Sequence, residues 1–91
     1  MNFLPSRCFL SVEAESDPTV ASRILHLLTV RGDIPQWFSV RQERPHALRI
    51  AIELAGLDEE AAQRLSHKIR NIPTVICVSR SWLKQRDAVH P

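Results

Sequence analysis

Glycine is nearly missing from this sequence: Gly32 and Gly56 are the only two in 91 residues. A phosphate-cradling loop or a dinucleotide fingerprint needs several glycines to bring backbone amides onto phosphate, so both are excluded. Cysteine is equally scarce. Cys8 and Cys77 make no CxxC pair and are too few for a disulfide framework. No apolar run approaches the roughly 18–20 residues that a membrane span requires. Residues 1–7 show no basic stretch leading into an apolar segment, so no secretory signal is expected and the cytoplasm is the expected compartment. An excess of one charge is missing too. Twelve Lys and Arg against ten Asp and Glu leave +2, short of the clustered basic patch of a nucleic-acid binder.

What is present is ordinary globular composition, 44% hydrophobic and 24% charged, in a length that allows one small domain with a modest core. Cys8 to Ala14 reads as a strand, with Cys8, Leu10, Val12 and Ala14 on one face at period two. Ser16 or Asp17 can cap a helix whose first turn suits Pro18, and Val20, Ile24, Leu27 and Leu28 then recur at helical spacing. Gly32 is its expected stop. A weaker strand covers residues 34–41, or starts near Phe38, because Pro35 cannot donate to a ladder; this strand is expected at an edge. After a turn at Arg44-Pro45-His46, Leu48, Ile50, Ile52 and Leu54 alternate cleanly on a third strand. Asp58 caps a second helix with Glu59 and Glu60 near its positive end and an expected buried stripe of Ala61, Leu65 and Ile69. Residues 74–79 form the last strand, and 82–91 read as a polar tail after a single domain over 1–81.

Strand–helix–strand–strand–helix–strand is the α+β, ferredoxin-like βαββαβ arrangement: a four-stranded antiparallel sheet with two helices on one face. Its other face should be open. An RNA-recognition module would need stacking aromatics on the central strands there, where this chain offers Arg49, Ala51 and Glu53. His26, His46, His67 and His90 fall on different elements without ligand spacing, so no metal site is read and no cofactor is expected. Both cysteines read as buried small hydrophobes. No nucleophile stands beside a base, and no active site is visible.

Glu15-Ser16-Asp17-Pro18-Thr19-Val20-Ala21-Ser22-Arg23-Ile24 with Arg31-Gly32 resembles the first loop and helix of an ACT domain. The pattern is most similar to that of the small regulatory subunit of acetolactate (acetohydroxyacid) synthase, roughly E-N-x-P-G-x-L-x-R-[VI]. Leu65 to Val75 resembles the same family's second helix running into the last strand. The similarity covers about residues 7–80, and the chain resembles the family's short form or a piece of a longer member. The resemblance implies a non-catalytic partner of the large, catalytic, thiamine-diphosphate-dependent subunit of acetolactate synthase, in branched-chain amino-acid synthesis. It also implies a homodimer and an amino-acid effector site between paired domains. Carried across by position, that site falls on Ser16 for an asparagine, Thr19 for a glycine, Ala21 for a leucine and Ile34 for an asparagine. Those departures predict a degenerate site that binds branched-chain amino acids weakly or not at all.

Three readings follow. The chain is a regulatory subunit, a stand-alone amino-acid-sensing module, or a small enzyme with an unfamiliar site. For the first, a candidate partner surface is Phe9, Trp37, Arg41 and Arg49 on the open face, with Trp37 alternatively covering a sheet edge.

Overall fold

Alternation in the strands and helical spacing between them are realised in a computed structural model that describes residues 6–84. The elements are β1 (Ser6–Glu15), α1 (Val20–Arg31), β2 (Trp37–Arg44), β3 (Ala47–Ala55), α2 (Glu59–Arg70) and β4 (Val75–Lys84). All pairings are antiparallel and the strand order is β2-β3-β1-β4, so β2 is an edge as its proline-bearing approach predicts. This is the ferredoxin-like βαββαβ fold. Neither helix is long and apolar enough to cross a membrane.

Register decides what is buried. Cys8 pairs with Leu54, Leu10 with Ile52 and Val12 with Ile50, and all six are at most 1% exposed beneath the helices. Val20, Ile24 and Leu28 from α1 and Ala62, Leu65 and Ile69 from α2 close the other side of this core. The Asp58 carboxylate accepts from the Ala61 N–H at 2.7 Å and so caps α2. Gly32 ends α1 at φ 83°, the left-handed conformation that its lack of a Cβ allows.

Five local expectations are corrected. The α1 cap residue is Thr19, without a side-chain cap bond, and Pro18 precedes it instead of lying in the first turn. Strand β2 begins at Trp37, because the Gln36 N–H already donates to the Glu53 carbonyl, and it runs on to Arg44. Helix α2 buries Leu65 and Ile69 as expected but adds Ala62 and Ser66, with Ala61 half-buried, so the stripe is wider on one side than its spacing predicts. Strand β4 continues through Lys84, so Trp82 pairs with Cys8 where a polar tail is expected, and the boundary at 81 falls inside a strand. Residues 85–91, including His90, lie outside the described residues. Cys77 is exposed, against the expectation of a buried thiol. It pairs with Glu13 on the open face, whereas Cys8 faces the helices five rungs away, about 17 Å along the strand.

Burial outweighs capping in this fold. Ile52→Ala is expected to cost about 2–5 kcal/mol, and Asp58→Ala about 1 kcal/mol. Urea denaturation of the two variants checks the order.

Candidate functional site

The β1–α1 loop carries two of the four effector positions, Ser16 and Thr19, with Ala21 just inside α1, and it is tied down at both ends. Its first residues leave β1 with Glu15 N–H donating to the Thr74 carbonyl at 2.8 Å and Ser16 N–H to the His46 carbonyl at 3.2 Å. The Ser16 hydroxyl reaches the Pro45 carbonyl at 3.4 Å, so it serves the β2–β3 hairpin. Asp17 is the hub. Its carboxylate accepts from Thr19 N–H at 2.9 Å, from the Thr19 hydroxyl at 2.8 Å and from the Thr74 hydroxyl at 2.9 Å. Its carbonyl takes the Val20 N–H at 3.2 Å.

These bonds place a carboxylate of the chain itself at the positive end of α1, where backbone N–H groups would otherwise attract an external anion. Thr19 N–H, then its hydroxyl, then the Thr74 hydroxyl hold the Asp17 carboxyl below its ordinary value, with Arg23 adding a weaker pull. Thr19 has φ −95°, so this backbone needs no left-handed residue, and its side chain turns into Asp17. Ala21 is half-buried on α1. Ile34 is 82% exposed beyond the far end of α1, twelve residues and about 18 Å of helix away. Ser16, Thr19 and Ala21 are therefore brought together, and Ile34 is not. Asp17, read from the sequence only as a candidate helix cap, is the residue whose part in this loop went unrecognised. Its signal was present as an Asp two positions before a Thr, the spacing at which a side chain bonds the backbone of a turn.

The open face gathers all four partner-surface residues. Register sets three rows across the sheet: Trp37–Glu53–Phe9–Ser81, then Ser39–Ala51–Ser11–Ser79, then Arg41–Arg49–Glu13–Cys77. The middle row is small side chains, and beside it Ser39, Arg41, Arg49 and Ala51 line a hollow of about 290 Å³. Trp37 is 60% exposed at one border. Charges here are largely matched within the face. Arg7 meets Glu53 at 2.6 Å, Arg49 meets Glu43 at 3.0 Å and the Ser11 hydroxyl at 3.1 Å, and Arg44 pairs with Glu13. The hydrogen bond with Glu43 raises Arg49 above its ordinary value and lowers Glu43, so both stay charged. Arg41 is the freer cation, 3.6 Å from Glu43.

The family model described as an ACT-like domain matches residues 6–88. No curated protein matches the chain. Among solved structures, the ACT domain from GTP pyrophosphokinase of Chlorobium tepidum superposes with a TM-score of 0.73 at 10% identity, over 85% of this chain and 99% of that one. The C-terminal domain of the MgtC protein from Mycobacterium tuberculosis gives 0.69 at 11% identity, covering 100% of this chain and 99% of that one. The ligand-free regulatory subunit of aspartate kinase from Thermus thermophilus gives 0.64 at 12% identity, over 89% of this chain and 52% of that one. At such identities the likeness is one of fold.

Asp17 yields a pH signature. An unfolded Asp titrates near its ordinary 3.8 and the folded one below it, so the carboxylate contributes stability above that value. The contribution is lost as pH falls through the lower, folded value. Thermal melts of the wild type and Asp17→Asn should differ near neutral pH and converge below about pH 4.

Proposed function

The chain belongs to the ACT-like domain family, and from that premise we propose that it is a non-catalytic regulatory subunit acting by binding a separate catalytic chain. The observation that carries this reading is a sheet face left uncovered among the described residues, where Phe9, Trp37, Arg41 and Arg49 stand on three adjacent strands with Trp37 60% exposed. An exposed tryptophan sharing a face with arginines is the composition of an interface anchor. The partner we assign is the catalytic subunit of acetolactate synthase, in the cytoplasm. Support for that choice is the residue resemblance at 15–24, 31–32 and 65–75.

An amino-acid-sensing module is the second reading, favoured by the fold shared with the aspartate kinase regulatory subunit. Asp17 weighs against it, because an effector carboxylate would have to displace an internal one already making three hydrogen bonds. Self-association belongs to either reading. Strand β2 leaves one edge unpaired and carries Trp37 and Val40 exposed, which suits a two-fold, edge-to-edge homodimer.

Co-expression with the catalytic subunit should give co-purification and a rise in synthase activity. Trp37→Ala should weaken that association ~10- to 30-fold while the variant's melting curve stays that of the wild type. Failure of the wild type to co-purify overturns the subunit reading. Calorimetric titration with valine, leucine and isoleucine should show dissociation constants no tighter than about millimolar. Binding in the tens of micromolar would make the chain a sensor. Light scattering should report a dimer, and a strict monomer at high micromolar concentration would refute the edge pairing.

A further inference from the structure

On the helix side of the sheet, α2 and β4 enclose a cleft of about 370 Å³ that none of the effector or partner-surface positions touches. Gln63, Ser66, His67 and Arg70 line it from one face of α2, at the three- and four-residue spacing that stacks side chains along a helix. Val78 and Arg80 line it from β4, two residues apart and so on the same side of the strand. Apart from Val78, the lining side chains are hydrogen-bond donors: two guanidiniums, an imidazole, an amide and a hydroxyl. Among the described residues no carboxylate lines the cleft. Arg80 is paired with Glu59 at 3.2 Å, and Arg70 has no ion-pair partner among the described residues.

A second observation is independent of the charges. Ser66 is 3% exposed, and its Oγ is a buried side-chain polar atom with no hydrogen-bond partner among the described residues. A serine in mid-helix can bond the carbonyl four residues back, but this one does not. An unmade bond at a buried hydroxyl is destabilising, and it marks a place where a bound group would restore a partner.

We propose that this cleft binds the phosphate group of a small phosphorylated metabolite. Donors arrive from two directions, from α2 and from β4, which suits a tetrahedral group with three or more acceptor oxygens better than a planar carboxylate with two. The guanidiniums of Arg70 and Arg80 are suited to bidentate phosphate recognition. A volume of about 370 Å³ admits a small metabolite rather than a macromolecular segment. The site lies apart from the β1–α1 loop, so it stands whether or not the chain serves a synthase.

The test is a backbone-amide NMR titration of the full chain at constant ionic strength with inorganic phosphate, glycerol 3-phosphate and acetate. The expected result is saturable shifts centred on residues 63–70 and 78–80 for the two phosphates, with acetate at least tenfold weaker. Tighter binding of the ester identifies a metabolite, and equal binding identifies the free ion; either supports a phosphate site. Arg70→Ala, at an exposed position, should weaken phosphate binding ~10-fold or more. Ser66→Ala should weaken it ~3- to 10-fold without lowering the melting temperature, because it removes an unsatisfied hydroxyl. A solely structural serine would leave phosphate affinity unchanged, and that result overturns the proposal. So do acetate shifts equal to those of phosphate, or shifts spread evenly to the residues around Arg23 and Arg41.

Discussion

Nine antiparallel rungs between β1 and β3, from Arg7–Ala55 to Glu15–Ala47, are the constraint on which the other surfaces depend. Side chains alternate at period two, so a slip of β3 by one rung would carry Leu48, Ile50, Ile52 and Leu54 into solvent and Arg49 and Glu53 into the core. The loss of four aliphatic side chains from the core, at roughly 1.5–3 kcal/mol each, far exceeds any hydrogen bond gained elsewhere. Register is therefore held by burial, and β2 and β4 take their registers from the two central strands. The three rows of the open face and the α2–β4 cleft inherit their geometry from that one parity.

A different economy governs the loop end of the sheet. Asp17 joins the start of α1 to Thr74, fifty-seven residues on, and Ser16 joins it to the β2–β3 hairpin. Three connections that leave the same end of the sheet are thereby locked to one another by a single short side chain and its neighbours. The same carboxylate that stabilises this end also takes up the helix terminus as an anion site. At this terminus the internal carboxylate holds the Thr19 N–H and the hydroxyls of Thr19 and Thr74.

Sequence patterns made the centre of the fold legible because the information there is local. Leu48, Ile50, Ile52 and Leu54 alternate within seven residues, and Asp58 followed by two glutamates marks a helix start without reference to the rest of the chain. The placement of Phe9, Trp37, Arg41 and Arg49 on one face followed from the same parity. What stayed hidden depends on partners distant in sequence. Strand β4 extends to Lys84 because β1 begins at Ser6 and offers partners that far, though residues 82–84 show little strand character themselves. Cys77 is exposed because it alternates with Val78, which pairs with Val12 on the helix side, so the Cys77 side chain falls with Glu13 on the open face. The cleft was equally invisible. Arg70 and Arg80 come together only when β4 has been placed against β1 under α2.

Charge is divided unequally between the two sides of the sheet. On the open face Arg7, Arg44 and Arg49 each have a carboxylate, so the face carries polarity with little net field. Exposed pairs of this kind contribute little to stability, commonly below about 1 kcal/mol. They keep a face soluble while leaving Trp37 and Phe9 to supply the apolar contact, and they favour a partner chosen by shape over one steered by charge. In the helix layer, Arg23, Lys68 and Arg70 have no ion-pair partner among the described residues. A net charge of +2 therefore understates the field that a small anion meets on that side. The proposed partner surface on the sheet and the proposed anion cleft under α2 fall on opposite sides of the core laid down by β1 and β3, so the two proposals do not compete for one surface.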